Sequence, residues 1–534
     1  MPYVRSRPLA PPMIEVLNAA PATMRRPLAL IDGRAYAGTW LYVRISRSET
    51  RGRKRRIIKH DPPLVETGTQ LFIVRDDGVI FGAGGMRPME DLGLEVALPE
   101  APHLSRTWST AGVEAYRTGE RPDPAEVFSR VADVVGHFVD FDRSLADQRT
   151  MAEMVACYVL ATWFLDAFHV IGYLWPNGER GSGKTVLLHT VAEMAYLGHV
   201  VLAGGSYASL RDLAEYGATL AFDDAENLAE AHRSDADKRA LLLAGNRRGS
   251  TVTMKEQGPG KERRTRHVNA FCPRLFSAIQ APDNVLSSRS IVIPLVRTTD
   301  RRLANIDPLD HETWPHERRP LIDDLWALAL AHLPELRAYE RAVSEKVRLA
   351  GRTLEPWRAI LAVALWLDEQ DEEEGTLRRS AVEAEDETDE EREEGDEETG
   401  LWERMEALSV AYQRERAGLE TGNLTVLVIQ ALCCCAVNAG DDSGSEGELF
   451  PASFVCTTEE VTMFAVALAE KYGGEVERIT NRRVGQAMGR MRLEKAPRPG
   501  GKGSRRWRVT RGDLERWMAA YGVALSALVR EDGW

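Results

Sequence analysis

The chain has 534 residues, 44% of them hydrophobic, which is ordinary for a globular protein and enough for roughly two to four domains with large cores. Its net charge of −13 does not exclude a nucleic-acid partner: positions 368–398 hold eighteen acidic and three basic residues, a local −15 that leaves about +2 elsewhere. Residues 1–12 are rich in Pro and Arg without an apolar centre, so no secretory leader is expected. The most apolar window, residues 155–175, is interrupted by Asp166 and His169 and reads as a buried helix running into a buried strand, not a membrane span. The six cysteines form no CxxC pair. They read as buried reduced thiols of a cytoplasmic protein, with no metal site expected.

In chain order, residues 1–120 form a strand-rich N-terminal domain. Trp40 to Ile45 and Leu71 to Val74 alternate as strands bounded by Gly, Pro and Asp clusters. Between them lies the basic run Arg51-Gly52-Arg53-Lys54-Arg55-Arg56, which reads equally as a solvated hairpin tip or a nucleic-acid contact. Asp76-Asp77-Gly78 has the composition of a turn. Helical periodicity takes over at residues 124–167. Residues 121–300 form the core, with this helical lead-in. Residues 301–440 follow as a helical lid or connector interrupted by an acidic segment, 368–400, expected to be a disordered loop.

Within the core, Gly178-Glu179-Arg180-Gly181-Ser182-Gly183-Lys184-Thr185 is a complete GxxxxGK[ST] phosphate loop. Backbone N–H groups of such a loop wrap a polyphosphate, the lysine neutralises its outer phosphates and the last hydroxyl ligates Mg²⁺. Context agrees: residues 168–175 read as a buried strand, and a helical pattern runs from Val186 to about Leu197, placing a helix N-terminus on the phosphates. Gly178, Gly181, Ser182, Gly183, Lys184 and Thr185 are therefore the expected ATP-binding residues. The loop needs an acidic partner at the end of a neighbouring strand, and Ala218-Thr219-Leu220-Ala221-Phe222-Asp223-Asp224 supplies it. Asp223 joins Thr185 in holding Mg²⁺, and Asp224 activates water, with Glu226 as its rival. Residues 251–268 read as a hairpin about a Gly/Pro turn with basic flanks, Arg247, Arg248, Lys255, Arg263 and Arg264. A charged hairpin of this kind is either simply exposed or tracks a phosphate backbone. Residues 273–280 read as another buried strand ending in a polar side chain, Gln280.

Together these residues resemble the AAA+ ATPases, and more closely the superfamily 3-type helicases and primase-helicases of phages, plasmids and integrated elements. The likeness rests on the GxxxxGKT loop, the apolar run ending in Asp223-Asp224, the basic hairpin, and Leu286-Ser287-Ser288-Arg289-Ser290-Ile291-Val292-Ile293-Pro294-Leu295, and spans roughly residues 142–367. It implies an α/β phosphate-loop core that uses ATP and Mg²⁺. It also implies sensor 1 at Gln280, an arginine finger at Arg289 that reaches a neighbouring subunit's γ-phosphate, and sensor 2 at Arg352 or Arg358 in a lid. A finger in trans implies a homo-oligomeric ring, most simply a hexamer, with single-stranded DNA in its channel. Residues 1–120 carry no such likeness, so no attached primase is expected.

After a Gly/Ser/Asp-rich linker, residues 450–534 show a Thr457-Thr458-Glu459-Glu460 capping box, two helical patterns, a glycine-rich turn, a strand and a closing helix, the order of a winged helix. Residues 481–511 hold eleven basic residues and one acidic. Arg482, Arg483, Gln486 and Arg490 on a helix and Lys502, Arg505, Arg506 and Arg508 on a hairpin are the candidate DNA contacts, a docking module being the alternative. The expected function is a DNA helicase or replication initiator of a mobile element, and the alternative is a DNA-binding ATPase switch that assembles without unwinding. No membrane partner is expected.

Overall fold

A computed structural model describes residues 20–51, 56–84, 86–98, 103–201, 207–223, 225, 236–257, 263–279, 282, 284–383, 399–419, 424–441, 450–471, 476, 479–497, 504–521 and 523. Short strands β1 (Thr23–Met24) and β2 (Leu28–Ile31) lead to a long pair, β3 (Arg34–Arg51) and β4 (Arg56–Arg75), then β5 (Ile80–Phe81) and β6 (Glu95–Val96). These make an antiparallel sheet of order β2-β3-β4-β5 and a parallel β1-β6 pair. Asp76 and Asp77 form the expected turn, and Asp77 anchors it by accepting from Val79 N at 3.2 Å.

Three helices follow: α1 (Thr110–Thr118), α2 (Pro124–Phe138) and α3 (Gln148–Trp163). Each starts where a short polar side chain satisfies the free N–H groups of the first turn, from Ser109, Asp123 and Asp147 respectively. Residues 148–163 are apolar around the whole circumference, and α3 is accordingly buried from Thr150 to Trp163.

The core continues with β7 (Tyr173–Asn177), α4 (Lys184–Met194), β8 (His199–Val201), α5 (Tyr207–Glu215), β9 (Leu220–Phe222), α6 (Ala236–Ala244), β10 (Thr251–Gln257), β11 (Arg263–Asn269), β12 (Arg274–Phe276), α7 (Asn284–Ser287) and β13 (Ser290–Pro294). Five of these strands form a sheet of order β13-β7-β12-β9-β8 in which every pairing is parallel. Such a sheet is covered on both faces, which is why Leu174, Trp175, Leu220, Ala221, Leu275 and Ile293 read as continuous apolar runs. The outer edge of β13 is closed by Tyr412, whose hydroxyl accepts from Val292 N at 2.9 Å and donates to Ser290 O at 3.3 Å. The upstream strand starts at Tyr173, later than the apolar run suggests, because residues 168–172, buried except for His169, form a loop that bonds across to the root of the hairpin through Ile171 N and Asn246 O at 3.0 Å.

In the middle of this sheet Arg274 is fully buried. It donates to Tyr173 Oη at 2.8 Å, Leu242 O at 2.6 Å and Ala270 O at 2.9 Å. Burial pushes the Tyr173 hydroxyl up, so it stays neutral. Gly245 is required here: a Cβ at that position would lie 1.8 Å from Arg274 Nη1. Replacing Gly245 by alanine is expected to displace the guanidinium from its carbonyls and cost about 3 kcal/mol, read as a lower melting temperature.

The helical region comprises α8 (Arg318–His332), α9 (Leu336–Lys346), α10 (Arg358–Glu383) and α11 (Leu401–Leu419). Here the expected disordered loop is corrected. Helix α10 runs on through Asp368 to Glu383, since its Glu, Leu and Arg residues are good helix formers; residues 384–398 lie outside the described residues. Asp368 on α10 accepts from Leu401 N at 3.0 Å and Trp402 N at 2.8 Å, capping the start of α11. One continuous core runs from Leu28 to Tyr412, so the N-terminal strands share it with the central sheet.

A second core joins α12 (Leu424–Asp441) to β14 (Ser453–Thr457), α13 (Thr458–Lys471), α14 (Asn481–Arg490), β15 (Glu494–Ala496), β16 (Arg506–Thr510) and α15 (Arg511–Tyr521). Helix α12 thus packs with the C-terminal unit. The three strands pair antiparallel in the order β14-β16-β15. The capping box forms as expected, with Thr457 N donating to Glu460 Oε2 at 2.7 Å and Glu460 N to Thr457 Oγ1 at 3.1 Å. All six cysteines are free thiols, and among the described residues no helix is long and apolar enough to cross a membrane.

Candidate nucleotide site

The phosphate loop spans the turn between β7 and α4, at the C-terminal edge of the parallel sheet. Gly181 and Gly183 adopt φ of 82° and 86°, left-handed values that a glycine takes without strain. Gly178 is packed against the end of β13, where a Cβ would lie 2.3 Å from Leu295 O. Lys184 Nζ donates to Gly178 O at 2.7 Å and Glu179 O at 2.8 Å, bridging the loop across its mouth. Ser182 Oγ is buried and has no hydrogen-bond partner among the described residues. An orphaned hydroxyl in a glycine-rich turn, beside a helix start, suits a phosphate oxygen.

Asp223 ends β9 and faces this loop across β12. Thr185 Oγ1 lies 3.1 Å from Asp223 Oδ2, and Ser277 Oγ donates to Asp223 Oδ1 at 2.6 Å. The register explains the meeting: Phe222 pairs with Phe276, so the next residues of β9 and β12, Asp223 and Ser277, arrive level. Hydroxyl and carboxylate oxygens are the hard donors that Mg²⁺ prefers, so the residues present fit that ion. Asp224, Glu226 and Gln280 lie outside the described residues.

The loop, Thr185 and Asp223 line a cleft of about 690 Å³. Its lining also takes in the apolar Phe138, Val139, Leu303 and Ile306, with Ile279 and Val296 exposed at 55% and 44%, together with Asp140 and Thr298. A cleft that combines the phosphate loop with apolar side chains suits a nucleoside triphosphate. It also holds a residue that the motif does not contain. Arg297 follows β13, and its Nε donates to Arg180 O at 2.8 Å. Among the described residues its terminal amino groups have no protein partner.

Arg289 stands at the opposite edge of the sheet. It immediately precedes Ser290, which pairs with Tyr173 at the start of β7, whereas the loop follows Asn177 at its end. Five residues of strand separate the two levels, roughly 15 Å. Its Nη1 lies 3.5 Å from Val285 O, the outer limit of a hydrogen bond, and among the described residues no carboxylate pairs with it.

The lid reading is corrected. Pro356 packs on Gly172, where a Cβ would lie 2.2 Å from Pro356 O, and Glu355 pairs with Arg247. Residues 352–358 therefore sit at the edge where Arg289 sits, and neither Arg352 nor Arg358 is placed at its own subunit's phosphate loop.

The expected hairpin forms between β10 and β11, with Lys255 opposite Thr265, Glu256 opposite Arg264 and Gln257 opposite Arg263. Lys255, Thr265 and His267 are exposed on one face, while Val268 is buried and Arg266 pairs with Glu215 at 2.5 Å on the other. Arg248 is corrected as a DNA contact. Its Nε and Nη2 donate to Phe168 O and Leu165 O, both at 2.8 Å, and its guanidinium covers the Phe271 ring at 5.4 Å. In the C-terminal unit Arg482, Arg483, Gln486 and Arg490 are exposed on α14. Arg505 lies over the Trp507 ring at 5.6 Å, Arg506 is half-buried, and Arg508 is exposed 3.6 Å from Glu494; Lys502 lies outside the described residues.

The fold is thus mixed α/β, with a parallel sheet carrying a phosphate loop and a facing carboxylate, an arrangement consistent with a phosphate-loop ATPase core. The sequence matches no protein-family model, and no curated protein shows significant similarity to it. Among solved structures, one titled SCCmec type IV Cch, an active helicase, aligns over 93% of this chain and 99% of its own at 10% identity with a TM-score of 0.33. A full-length MCM homolog from Methanopyrus kandleri aligns over 71% of each chain at 15% identity with a TM-score of 0.26. Likenesses at those scores carry no functional assignment, which rests instead on the geometry of the site.

Proposed function

We propose that this chain is an ATP hydrolase of the AAA+ type that assembles into a ring, most simply a hexamer, and drives translocation on DNA as a helicase or replication initiator of a mobile element. The observation that carries this reading is the placement of the phosphate loop and the candidate arginine finger at opposite edges of one sheet. Lys184, Thr185 and Asp223 stand at one edge and Arg289, without a carboxylate partner among the described residues, at the other. Stacking a second copy edge to edge supplies an arginine where the first has none.

Gly178, Gly181, Ser182 and Gly183 wrap the phosphates, Lys184 swings from its loop carbonyls onto them, and Thr185 and Asp223 hold Mg²⁺. When bound, that ion neutralises charge on the transferred phosphoryl group. Ser277 fixes the Asp223 carboxylate. In this reading Asp224 or Glu226 orients the attacking water and Gln280 is the sensor. Arg297 clamps the loop and the polyphosphate from the β13 side. Arg297→Ala is expected to weaken ATP and ADP binding about tenfold in the isolated subunit, with Arg297→Lys intermediate, as read by fluorescent-nucleotide titration.

The β10–β11 hairpin, with Lys255, Arg263, Arg264 and Arg247, and a winged-helix C-terminal unit, with Arg482, Arg483, Gln486, Arg490, Lys502, Arg505, Arg506 and Arg508, are the DNA-facing elements of this reading. The deciding experiment is strand displacement on a forked duplex, with Lys184→Ala as control. ATP-dependent displacement lost in that variant supports the motor. DNA-stimulated hydrolysis without displacement replaces it with a switch that assembles on DNA.

A further inference from the structure

A second cleft, of about 540 Å³, opens between the β1–β2 segment and the root of the β10–β11 hairpin. Strand pairing sets one of its walls. Thr251 lies opposite Asn269, Thr253 opposite His267 and Lys255 opposite Thr265, and alternate residues share a face, so these six form one polar face of the hairpin. Thr251, His267 and Asn269 of that face line the cleft, and the polar face therefore runs into it. Ala29, Leu30 and Ile31 supply aliphatic wall, and among the described residues the imidazole of His267 is the one ring in the lining.

Four guanidinium groups line the cleft with two carboxylates, Asp166 and Glu215. Arg26 and Arg248 share Asp166, and Arg266 pairs with Glu215 at 2.5 Å. The fourth, Arg25, is exposed and has no carboxylate partner among the described residues. It is held in place by its neighbour: the buried Arg26 donates to Asp166 Oδ1 at 3.0 Å and to Phe271 O at 2.7 Å. Asn269 Oδ1 accepts from Phe271 N at 3.0 Å, which orients the amide and leaves Nδ2 without a partner among the described residues.

We propose that this cleft holds a nucleotide phosphate, as the phosphodiester of a single strand lying along the polar face of the hairpin, with Arg25, Asn269 Nδ2 and Thr251 Oγ1 as its donors. The inference rests on the reading of the hairpin as DNA-facing, and it adds the N-terminal strands to that path. One carboxylate shared by two guanidinium groups leaves the cleft with a positive excess after its own pairs are made, and that excess attracts phosphate. Aliphatic walls without an aromatic platform suit sugar and phosphate better than bases, so the contact is indifferent to sequence. A cleft that merely joined the N-terminal strands to the hairpin would need Arg26 and Arg248, which meet at Asp166. Arg25 and the amide nitrogen of Asn269 serve no such joint.

The test uses the full chain without ATP, a fluorescent dT oligomer of about 20 nucleotides, and anisotropy between roughly 50 and 200 mM salt. Arg25→Glu and Asn269→Asp, the second of which keeps the acceptor for Phe271 N, are each expected to weaken oligomer binding about tenfold. Arg25→Lys should stay within about threefold of wild type, and Arg25→Ala should lower the salt slope by about 0.7. Lys255→Ala reports on the hairpin separately. Weaker binding in Lys255→Ala with none in the Arg25 and Asn269 variants overturns the cleft and leaves the hairpin reading standing, whereas no change in any of them removes both. A loss in Arg25→Glu with none in Asn269→Asp also overturns the proposal, because Arg25 would then act as diffuse surface charge. The monophosphate dTMP is the second probe: competition by dTMP that both variants abolish would overturn the strand and assign the cleft to a free nucleotide.

Discussion

Replacing Arg289 by alanine is expected to leave ATP binding by a single subunit unchanged and to lower the turnover of the assembled protein by about three orders of magnitude. The separation follows from geometry. Arg289 precedes β13, level with the start of β7, while Lys184 follows its end, so one copy's guanidinium is out of reach of its own phosphates. On the proposed ring reading, binding is a property of one chain and hydrolysis a property of two. The sharpest readout is complementation. Lys184→Ala and Arg289→Ala should each be inactive alone, but a mixture should recover activity, because an Arg289→Ala subunit keeps an intact phosphate loop that a Lys184→Ala neighbour can complete. Failure of the mixture to exceed either parent, with assembly shown by sedimentation, would remove Arg289 from the site. Loss of nucleotide binding in Arg289→Ala alone would mean that the residue acts within its own fold.

The parts of this site that were legible in the sequence are the local ones. The phosphate loop is one turn whose glycines, lysine and threonine are fixed by neighbours in the chain, and an apolar run ending in Asp223 marks a strand end wherever that strand lies. What could not be read depends on which strands lie side by side. Ser277 reaches Asp223 at 2.6 Å only because β12 lies between β7 and β9; in sequence the apolar pattern runs on to Gln280 through Ala278 and Ile279 and hides the strand's end. Arg297 belongs to the cleft because the end of β13 follows the loop, with Leu295 N donating to Asn177 O at 2.8 Å. Arg352 and Arg358 failed in the other direction: their order after the core suggested a lid, and the packing of Pro356 on Gly172 sends them to the far edge. The acidic helix is a different lesson. Local charge density argues for a solvated coil, but Glu-rich sequence is also good helix, and α10 enters it already nucleated by a buried apolar stretch.

Asp166→Ala is expected to destabilise the protein by about 3–5 kcal/mol, an effect far larger than that of an exposed ion pair. The carboxylate is 14% exposed and joins three segments. Its Oδ1 accepts from Arg26 at 3.0 Å and lies 3.5 Å from Arg248, and its Oδ2 accepts from Leu30 N at 3.1 Å. Arg26 also donates to Phe271 O at 2.7 Å, just past β11, so the N-terminal strands, residues 165–167 and the root of the β10–β11 hairpin meet at one carboxylate. Removing it leaves two guanidinium groups near each other with carbonyls and no carboxylate in contact, and the strand that Arg26 anchors is short. The loss should therefore appear first as faster amide exchange across Leu28–Ile31, before the central sheet opens. Asp166→Asn keeps an acceptor for Leu30 N and should cost less, while Arg26→Met in the Asp166→Asn background should cost less than the sum of the two single changes, because each removes the other's partner. A denaturant midpoint equal to wild type for Asp166→Ala would show that Arg26 and Arg248 are satisfied by their carbonyls alone. The hairpin root would then be independent of the N-terminal strands, whereas the expected loss ties the root to them.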